Sequence, residues 1–441
     1  MFIGREHELN TLNKLYNSDK FEFAVIYGRR RVGKTALISE FTKDKDTIFF
    51  TGVETNAKQN LDNFSRCIME YNTGIASGAS FNSFQMALEY VFELAKTKRI
   101  VLVIDEYPYV ARASKSLAST LQLLIDKNKD ASKLFLILCG SSMSYMEDHV
   151  LAYKAPLYGR RTAQFKINPF EFLEACRYFE NFSDEDKALA YGIVGGTPQY
   201  LMQLDDKLSI EENIKNTHLN PSSSIFEEPT NLLKHEVREP AIYNAVITAI
   251  ATGSSKMNEI SNKIDEDTSV CATYIKNLIT LGIVKKESPY GKKSTRKTIY
   301  SIEDNMFHFW YRFVPENTSI ISRGAVDLAY SRIAPELSSY MGSVFEDICK
   351  QYLWKLLLDG NSPVERTPKR SPKKKSTLWE RIKIPPFLPS ASGQTKRLTL
   401  VCWKHLWSVA PYLTTRERIF ISLQKQALPK AVSTEQTRWA T

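Results

Sequence analysis

Near the start of the chain, between an apolar run and a helical pattern, lies Gly28-Arg29-Arg30-Arg31-Val32-Gly33-Lys34-Thr35, which satisfies the spacing G-x-x-x-x-G-K-[ST] at every position. The run before it, Phe21 to Tyr27, is rich in aromatic and β-branched residues, the composition of a strand buried on both faces. Ala36 to Phe41, after it, carries apolar residues at helical spacing. Strand, glycine loop and helix in that order restrict the fold to an α/β layer with a parallel sheet. The two glycines let backbone N–H groups converge, and the helix N-terminus adds partial positive charge, so the turn makes a bed for phosphate groups. Lys34 is placed to reach the outer phosphates and the Thr35 hydroxyl to hold Mg2+. Arg29, Arg30, Arg31, Val32 and Ala36 complete the loop around the anion.

Such a loop needs an acidic partner. Arg99 to Ile104 is a branched-aliphatic strand that ends in Asp105-Glu106. Asp105 is placed to hold the Mg2+ shell and Glu106 to polarise an attacking water; having both acids points to hydrolysis rather than binding alone. Thr47 to Phe50 is a further strand, and Phe64 to Leu94 is amphipathic helix broken near Thr73 to Ser80. Lys133 to Ser142 is another buried strand, ending in Ser141-Ser142.

Composition bounds the rest. A chain of 441 residues is long enough for two or three domains. No apolar run approaches the roughly eighteen residues of a membrane span, and the N-terminus does not read as a signal peptide. The six cysteines and six histidines show no metal-ligand spacing, so reduced thiols in a cytoplasm are expected, with no structural metal. The net charge of +10 lies in the tail: residues 361–441 hold 16 Lys and Arg against 4 Asp and Glu, which leaves the body near neutral.

Five stretches then carry a resemblance. Phe2-Ile3-Gly4-Arg5-Glu6-His7-Glu8-Leu9 resembles the F-x-G-R-x-x-E-L box of AAA-like and STAND-type ATPases. Together with the glycine loop, the Asp105-Glu106 strand, Tyr158-Gly159-Arg160-Arg161 and Gly195-Gly196-Thr197-Pro198-Gln199-Tyr200, it is similar to prokaryotic, mainly archaeal, P-loop ATPases of the STAND/AAA-like superfamily over roughly residues 1–235. The resemblance implies ATP as nucleotide, Gly4 and Arg5 beside the adenine, Ser141 or Ser142 sensing the γ-phosphate, and a helical lid containing the Gly-Gly-Thr-Pro box. Arg160 and Arg161 are then candidate catalytic arginines acting in cis or in trans, against the plain alternative of a solvated surface loop.

Residues 240–302 read as three short helices and a β-ribbon, a winged helix. Val270, Tyr274, Leu278 and Leu281 are expected on the buried face of the third helix. Lys276, Lys285, Lys286, Lys292, Lys293, Arg296 and Lys297 are candidate DNA phosphate contacts, with a protein-binding spacer equally open. The aromatic run Asp304 to Phe313 reads as a core helix, with His308 in the packing rather than a ligand. Met341 to Cys349 begins a helix that resembles the first of a PD-(D/E)xK nuclease-like domain, with Glu346 at its first acidic position. Residues 361–441 do not continue it: they hold no aspartate, one glycine and eight of eighteen prolines. They read either as a disordered basic tail or as a shifted frame. For one choice of codons, reading Pro389 to Gln394 from the third base yields Glu-Cys-Lys-Trp, the missing E-x-K.

The expected organisation is a P-loop ATPase core (1–165), helical lid (166–235), winged helix (236–315), start of a nuclease-like domain (316–360) and a basic or frame-shifted tail (361–441). The expected function is Mg2+-dependent ATP hydrolysis coupled to conformational change, on DNA or as a STAND-type switch that controls homo-oligomerisation, with no membrane association.

Overall fold

The computed structural model describes residues 2–74, 78–287 and 298–358. They fall into two units: the residues up to Phe170 with Thr197–Gln199, and Glu171–Gly196 with the described residues from Tyr200 on.

The first unit runs α1 (Glu6–Tyr16), β1 (Glu22–Tyr27), α2 (Lys34–Thr42), β2 (Thr47–Thr51), α3 (Ala57–Thr73), α4 (Phe84–Leu94), β3 (Ile100–Asp105), α5 (Tyr107–Ala113), α6 (Leu117–Asn128), β4 (Leu134–Gly140), α7 (Met143–Tyr145), a π-helical turn (Met146–Leu151) and β5 (Ala163–Lys166). The five strands form one parallel sheet in the order β2-β3-β4-β1-β5. Strand side chains alternate between faces, and both faces here are covered. Phe23, Val25, Leu102, Ile104, Leu136 and Leu138 pack with residues of α3 to α6. Ala24, Ile26, Val101, Val103, Phe135 and Ile137 pack with Leu12 of α1 and Leu37, Ile38 and Phe41 of α2. This double burial explains the unbroken apolar strands, and each such side chain contributes about 1.5–3 kcal/mol.

The α/β expectation therefore holds, and the strand order positions the site. β4 lies between β1 and β3, so the glycine loop, the Ser141-Ser142 pair and the Asp105-Glu106 pair leave three neighbouring strand ends at the carboxyl edge. This is the edge where open parallel sheets bind ligands. The fifth strand was not foreseen; its four residues are too few to give a pattern.

The second unit contains α8 (Phe172–Ala175), α9 (Asp184–Val194), the end of α10 (Pro198–Leu201), α11 (Ile210–Thr217), α12 (Glu228–Glu236), α13 (Pro240–Ala251), α14 (Met257–Ile264), α15 (Thr268–Thr280), the antiparallel pair β6 (Val284–Glu287) and β7 (Ile299–Ile302), α16 (Asn305–Ile321) and α17 (Val326–Leu358). On α15 the buried face is Cys271, Ile275 and Leu278, while Val270 is 39% exposed. Leu278 and Leu281 are thus buried as expected, while Cys271 and Ile275 take the places expected for Val270 and Tyr274. Tyr274 borders this buried face, edge-to-face with Tyr243 and with its hydroxyl donating to Glu239 at 2.9 Å, as an amphipathic side chain prefers.

The aromatic run is the core helix α16, capped by Asp304, whose carboxylate accepts from the Phe307 N–H at 3.1 Å. His308 stacks on Tyr340 at 4.8 Å, and burial brings its pKa down to about 4. α17 begins fifteen residues ahead of the expected Met341 and includes Pro335. Tyr340 Oη donates to the Gly192 carbonyl at 2.6 Å, and a Cβ at Gly192 would lie 2.5 Å from Met341 Sδ, so the helices approach closely at this glycine. Glu346 pairs with Lys350 at 3.1 Å, and Lys350 also reaches Asp347 and Glu287 at 3.4 and 3.5 Å. Burial pulls the Lys350 pKa down, but these three carboxylates outweigh it and the net direction is up. The frame-shifted or basic tail lies outside the described residues. Among the described residues, no helix is long and apolar enough to cross a membrane.

Candidate functional site

β1 delivers the chain into the glycine loop at Gly28, where a Cβ would meet the Ile167 carbonyl oxygen at 2.3 Å. That neighbour is backbone and cannot yield, so glycine is required before any ligand is considered. Arg31 (φ 71°) and Gly33 (φ 92°) are left-handed. For Arg31 this is a strain of about 1–3 kcal/mol, held by its surroundings. Lys34 is buried, and its ammonium donates to the Gly28 and Arg29 carbonyls at 2.9 and 3.0 Å.

Thr35 Oγ1 donates to Asp105 Oδ2 at 3.0 Å, and the Glu106 N–H donates to Asp105 Oδ1 at 2.9 Å. Both carboxylate oxygens are thus oriented. Glu106 is itself left-handed (φ 48°), which swings its side chain toward β4, where Ser141 Oγ donates to Glu106 Oε2 at 2.8 Å and the Ser141 N–H at 3.3 Å. Of the two serines proposed for this place, Ser141 meets Glu106, and Ser142 accepts from Arg112 Nη2 at 3.3 Å. The Asp105-Glu106 turn is held from below by Gly52, whose N–H donates to the Asp105 carbonyl at 2.8 Å. Cys139 lies beside Asp105; burial, then the Asp105 charge, push its thiol well above the ordinary range.

Gly4 and Arg5 sit behind the loop. Arg5 Nη2 donates to the Val32 carbonyl at 3.2 Å and to the Asn168 carbonyl, with its guanidinium 4.3 Å from the Phe170 ring centre. Gly4 (φ 73°) allows this: a Cβ there would lie 2.7 Å from the same ring.

Three loop contacts come from residues that the sequence did not mark as site residues. Arg29 Nη2 donates to Thr197 Oγ1 at 3.2 Å, and Arg30 Nη2 donates to Tyr109 Oη at 2.8 Å. Pro198 Cγ lies 3.6 Å from where a Cβ on Gly33 would be. Thr197 and Pro198 were readable only as parts of the Gly-Gly-Thr-Pro box. Tyr109 left no signal beyond being three residues past Glu106.

Arg160 and Arg161 lie elsewhere. β5 runs parallel to β1 with Ala163 opposite Ala24, and the Thr162 N–H donates to the Phe23 carbonyl at 2.8 Å. The two arginines therefore stand at the amino edge of the sheet, while the loop leaves the carboxyl edge. Five residues of strand separate Phe23 from Gly28, about 16 Å. Arg160 forms a two-pronged pair with Asp126 of α6, at 2.8 and 2.6 Å, and the Arg161 guanidinium lies 5.6 Å from the Tyr158 ring centre. Both arginines thus make these contacts at the strand edge opposite the one that carries the glycine loop.

Of the expected DNA contacts, Lys285 is paired with Asp347 at 2.5 Å, which leaves its charge answered within the protein. Lys276 and Lys286 are exposed. Lys292, Lys293, Arg296 and Lys297 lie outside the described residues.

Residues 2–204 match an ATPase domain predominantly from Archaea, and residues 310–370 match archaeal and bacterial proteins of unknown function. An uncharacterized protein of Methanocaldococcus jannaschii is 33% identical over 357 residues, 81% of this chain and 78% of its own. An uncharacterized ATP-binding protein of Pyrococcus abyssi is 22% identical over 46% of this chain and 71% of its own. Among solved structures, a Walker-type ATPase of Pyrococcus abyssi aligns with a TM-score of 0.51 at 18% identity, covering 70% of this chain and 96% of that one; at that identity the likeness shows the fold alone. With the first of these relatives matched across most of both chains, and the domain carried by its first two hundred residues, the chain belongs to the family of ATPase domains found predominantly in Archaea.

Proposed function

We propose that the chain binds ATP with Mg2+, hydrolyses it, and couples hydrolysis to conformational change. One observation carries the reading: Thr35, Asp105, Glu106 and Ser141 form a continuous hydrogen-bonded line beside the buried Lys34 ammonium, across three neighbouring strand ends. Mg2+ fits the donors present. A hydroxyl and a carboxylate 3.0 Å apart are hard oxygen ligands, and the nucleotide's own phosphates complete such a shell. Among the described residues, no group of three or more His, Cys, Asp or Glu could hold a metal alone. When bound, the ion neutralises charge on the β- and γ-phosphates.

The residues divide the work. Backbone N–H groups of Arg29 to Thr35 and the Lys34 ammonium hold the phosphates, and Ala36 closes the loop at the helix start. Ser141 fixes one oxygen of Glu106, and the other takes the proton of the attacking water. Gly4 and Arg5 brace the loop through Val32 on the adenine side, and the name of the Pyrococcus abyssi relative supports ATP. A role for Arg160 and Arg161 is confined to the nucleotide of a second copy, and so to a homo-oligomer. The test is phosphate release by wild type and Asp105→Asn with Mg2+ or EDTA. Turnover that needs both Mg2+ and Asp105 supports the reading; Mg2+-independent turnover sinks it.

In this reading residues 166–235 form the lid, 236–315 a winged helix and 316–360 the start of a nuclease-like module. A DNA-coupled role and a STAND-type switch then compete, and the Lys285–Asp347 pair favours the switch. So do Asp265, Glu266 and Asp267, three consecutive acids at the start of α15, where a duplex would present phosphates. Turnover and oligomeric state measured with and without duplex DNA decide between them: turnover that rises with DNA and falls with salt supports the DNA role. Nucleotide-dependent assembly without DNA affinity supports the switch.

A further inference from the structure

The reaction proposed above gathers negative charge on the transferring phosphoryl group, and in related chemistry an arginine answers it. The arginine motif that the sequence offers for this role is at the wrong edge of the sheet, with Arg160 neutralised by Asp126. The loop, however, carries arginines of its own, and two of them point in different directions. Arg29 is buried and turned toward Thr197. Arg30 is half-buried and turned the other way, with Nη2 2.8 Å from Tyr109 Oη. Tyr109 stands on the first turn of α5, and its own N–H donates to the Glu106 carbonyl at 3.0 Å. The contact therefore ties the Arg30 guanidinium to the helix that begins just after the catalytic acid. Lys34 occupies the opposite, inner side of the same loop. The Tyr109 phenol orients the guanidinium by accepting one hydrogen bond from it.

We infer that Arg30 is the cis-acting arginine of phosphoryl transfer in this chain, and that Tyr109 is the positioning residue that aims it. In the step, the water oxygen bonds to the γ-phosphorus as the bond from that phosphorus to the β–γ bridging oxygen breaks. The bridging electron pair leaves with ADP, the water proton passes to Glu106 Oε1, and inorganic phosphate is the second product. Arg30 donates to a γ-oxygen from the outer side while Lys34 does so from the inner side. The site thus supplies its own arginine, and a single copy of the chain is competent for turnover.

The inference rests on the ATPase reading, and the experiment separates the two. Wild type, Glu106→Gln, Arg30→Ala, Arg30→Lys and Tyr109→Phe are assayed as full-length chains for steady-state hydrolysis, ADP affinity and capture of ADP with aluminium fluoride. Arg30→Ala is expected to lower kcat by at least about 1000-fold, the lower end of the range for such arginines, and to lose aluminium fluoride capture. Its ADP affinity is expected to change less than about threefold, since ADP lacks the group that Arg30 meets. Arg30→Lys keeps the charge but loses the fork and recovers part of kcat, which also rules out a folding defect. Tyr109→Phe lowers kcat about tenfold with KM unchanged, the worth of one hydrogen bond to a charged group. If Glu106→Gln abolishes turnover while Arg30→Ala retains it, or loses it only through KM in parallel with ADP affinity, the Arg30 inference is overturned and the ATPase reading stands. If wild type and Glu106→Gln are equally inert, both fall.

Discussion

Gly52 ends β2 and touches no expected ligand atom, yet it is the sharpest handle on the acid turn. A Cβ placed there would lie 2.4 Å from Val110 Cγ2 and 2.9 Å from the Glu106 carbonyl oxygen. Carbon–carbon contacts are comfortable at about 3.5–4.0 Å, so the Val110 contact is short by more than about 1 Å. Val110 is fully buried in α5 and cannot swing away. Either α5 or the end of β2 must then move, and the Gly52 N–H bond to the Asp105 carbonyl at 2.8 Å drags the acid turn along. Overpacking of this kind costs about 1–3 kcal/mol, and an ångström of misplacement at a reacting group costs about 100-fold in rate. Gly52→Ala is therefore expected to cut kcat by about two orders of magnitude with a modest fall in melting temperature. ADP affinity should be retained, because the glycine loop is not displaced. Melting curves, fluorescent ADP titration and phosphate release read the three quantities. Wild-type turnover in a folded Gly52→Ala protein would refute the argument that this packing sets the position of Asp105 and Glu106.

Ser141→Ala removes the hydroxyl that holds Glu106 Oε2 and should lower kcat by about 10- to 100-fold with little change in KM, measured by steady-state kinetics. Asp126→Ala breaks an exposed pair with Arg160, so it should cost under about 1 kcal/mol in denaturant melts and leave turnover unchanged; a tenfold loss of turnover would return Arg160 to the reaction. His218 is fully buried against Phe309, its Nε2 has no hydrogen-bond partner, and burial lowers its pKa to about 3. The native state thus resists a proton that the unfolded chain accepts below pH 6.5. Stability attributable to this histidine is intact above pH 6.5 and falls as pH drops toward 3, by about 2 kcal/mol at pH 5. His218→Phe should flatten that limb of the denaturation profile, and an unchanged slope would contradict it.

Much of the first unit was legible because its signals are local. A glycine loop between strand and helix, and two acids closing an aliphatic strand, each need only a few adjacent residues, and β1, β3 and β4 fall within a residue or so of their apolar runs. What failed depended on three-dimensional order. Tyr-Gly-Arg-Arg sits just ahead of β5, and nothing local says which sheet edge that is; the parallel register with β1 decides it and puts Arg160 at the amino edge. In the first half of α15, Cys271 and Ile275 are buried in place of Val270 and Tyr274, because two apolar stripes lie one residue apart there and only tertiary packing chooses between them. Tyr109 and Gly52 act through contacts across the fold and leave no periodicity or motif to read, and Thr197 was marked only as part of the Gly-Gly-Thr-Pro box. Glu346, marked as a nuclease acid by a helix of familiar shape, pairs with Lys350 one turn along the same helix.

The central claim is that Glu106 activates water against a nucleotide held by the glycine loop. Single-turnover hydrolysis of ATP by wild type and Glu106→Gln, with bound nucleotide quantified in the same samples, tests it most directly. The account predicts that Glu106→Gln keeps ATP bound in the presence of Mg2+ and cleaves it at least about 100-fold more slowly. Cleavage at the wild-type rate in Glu106→Gln, or no ATP retained by either protein, would contradict it.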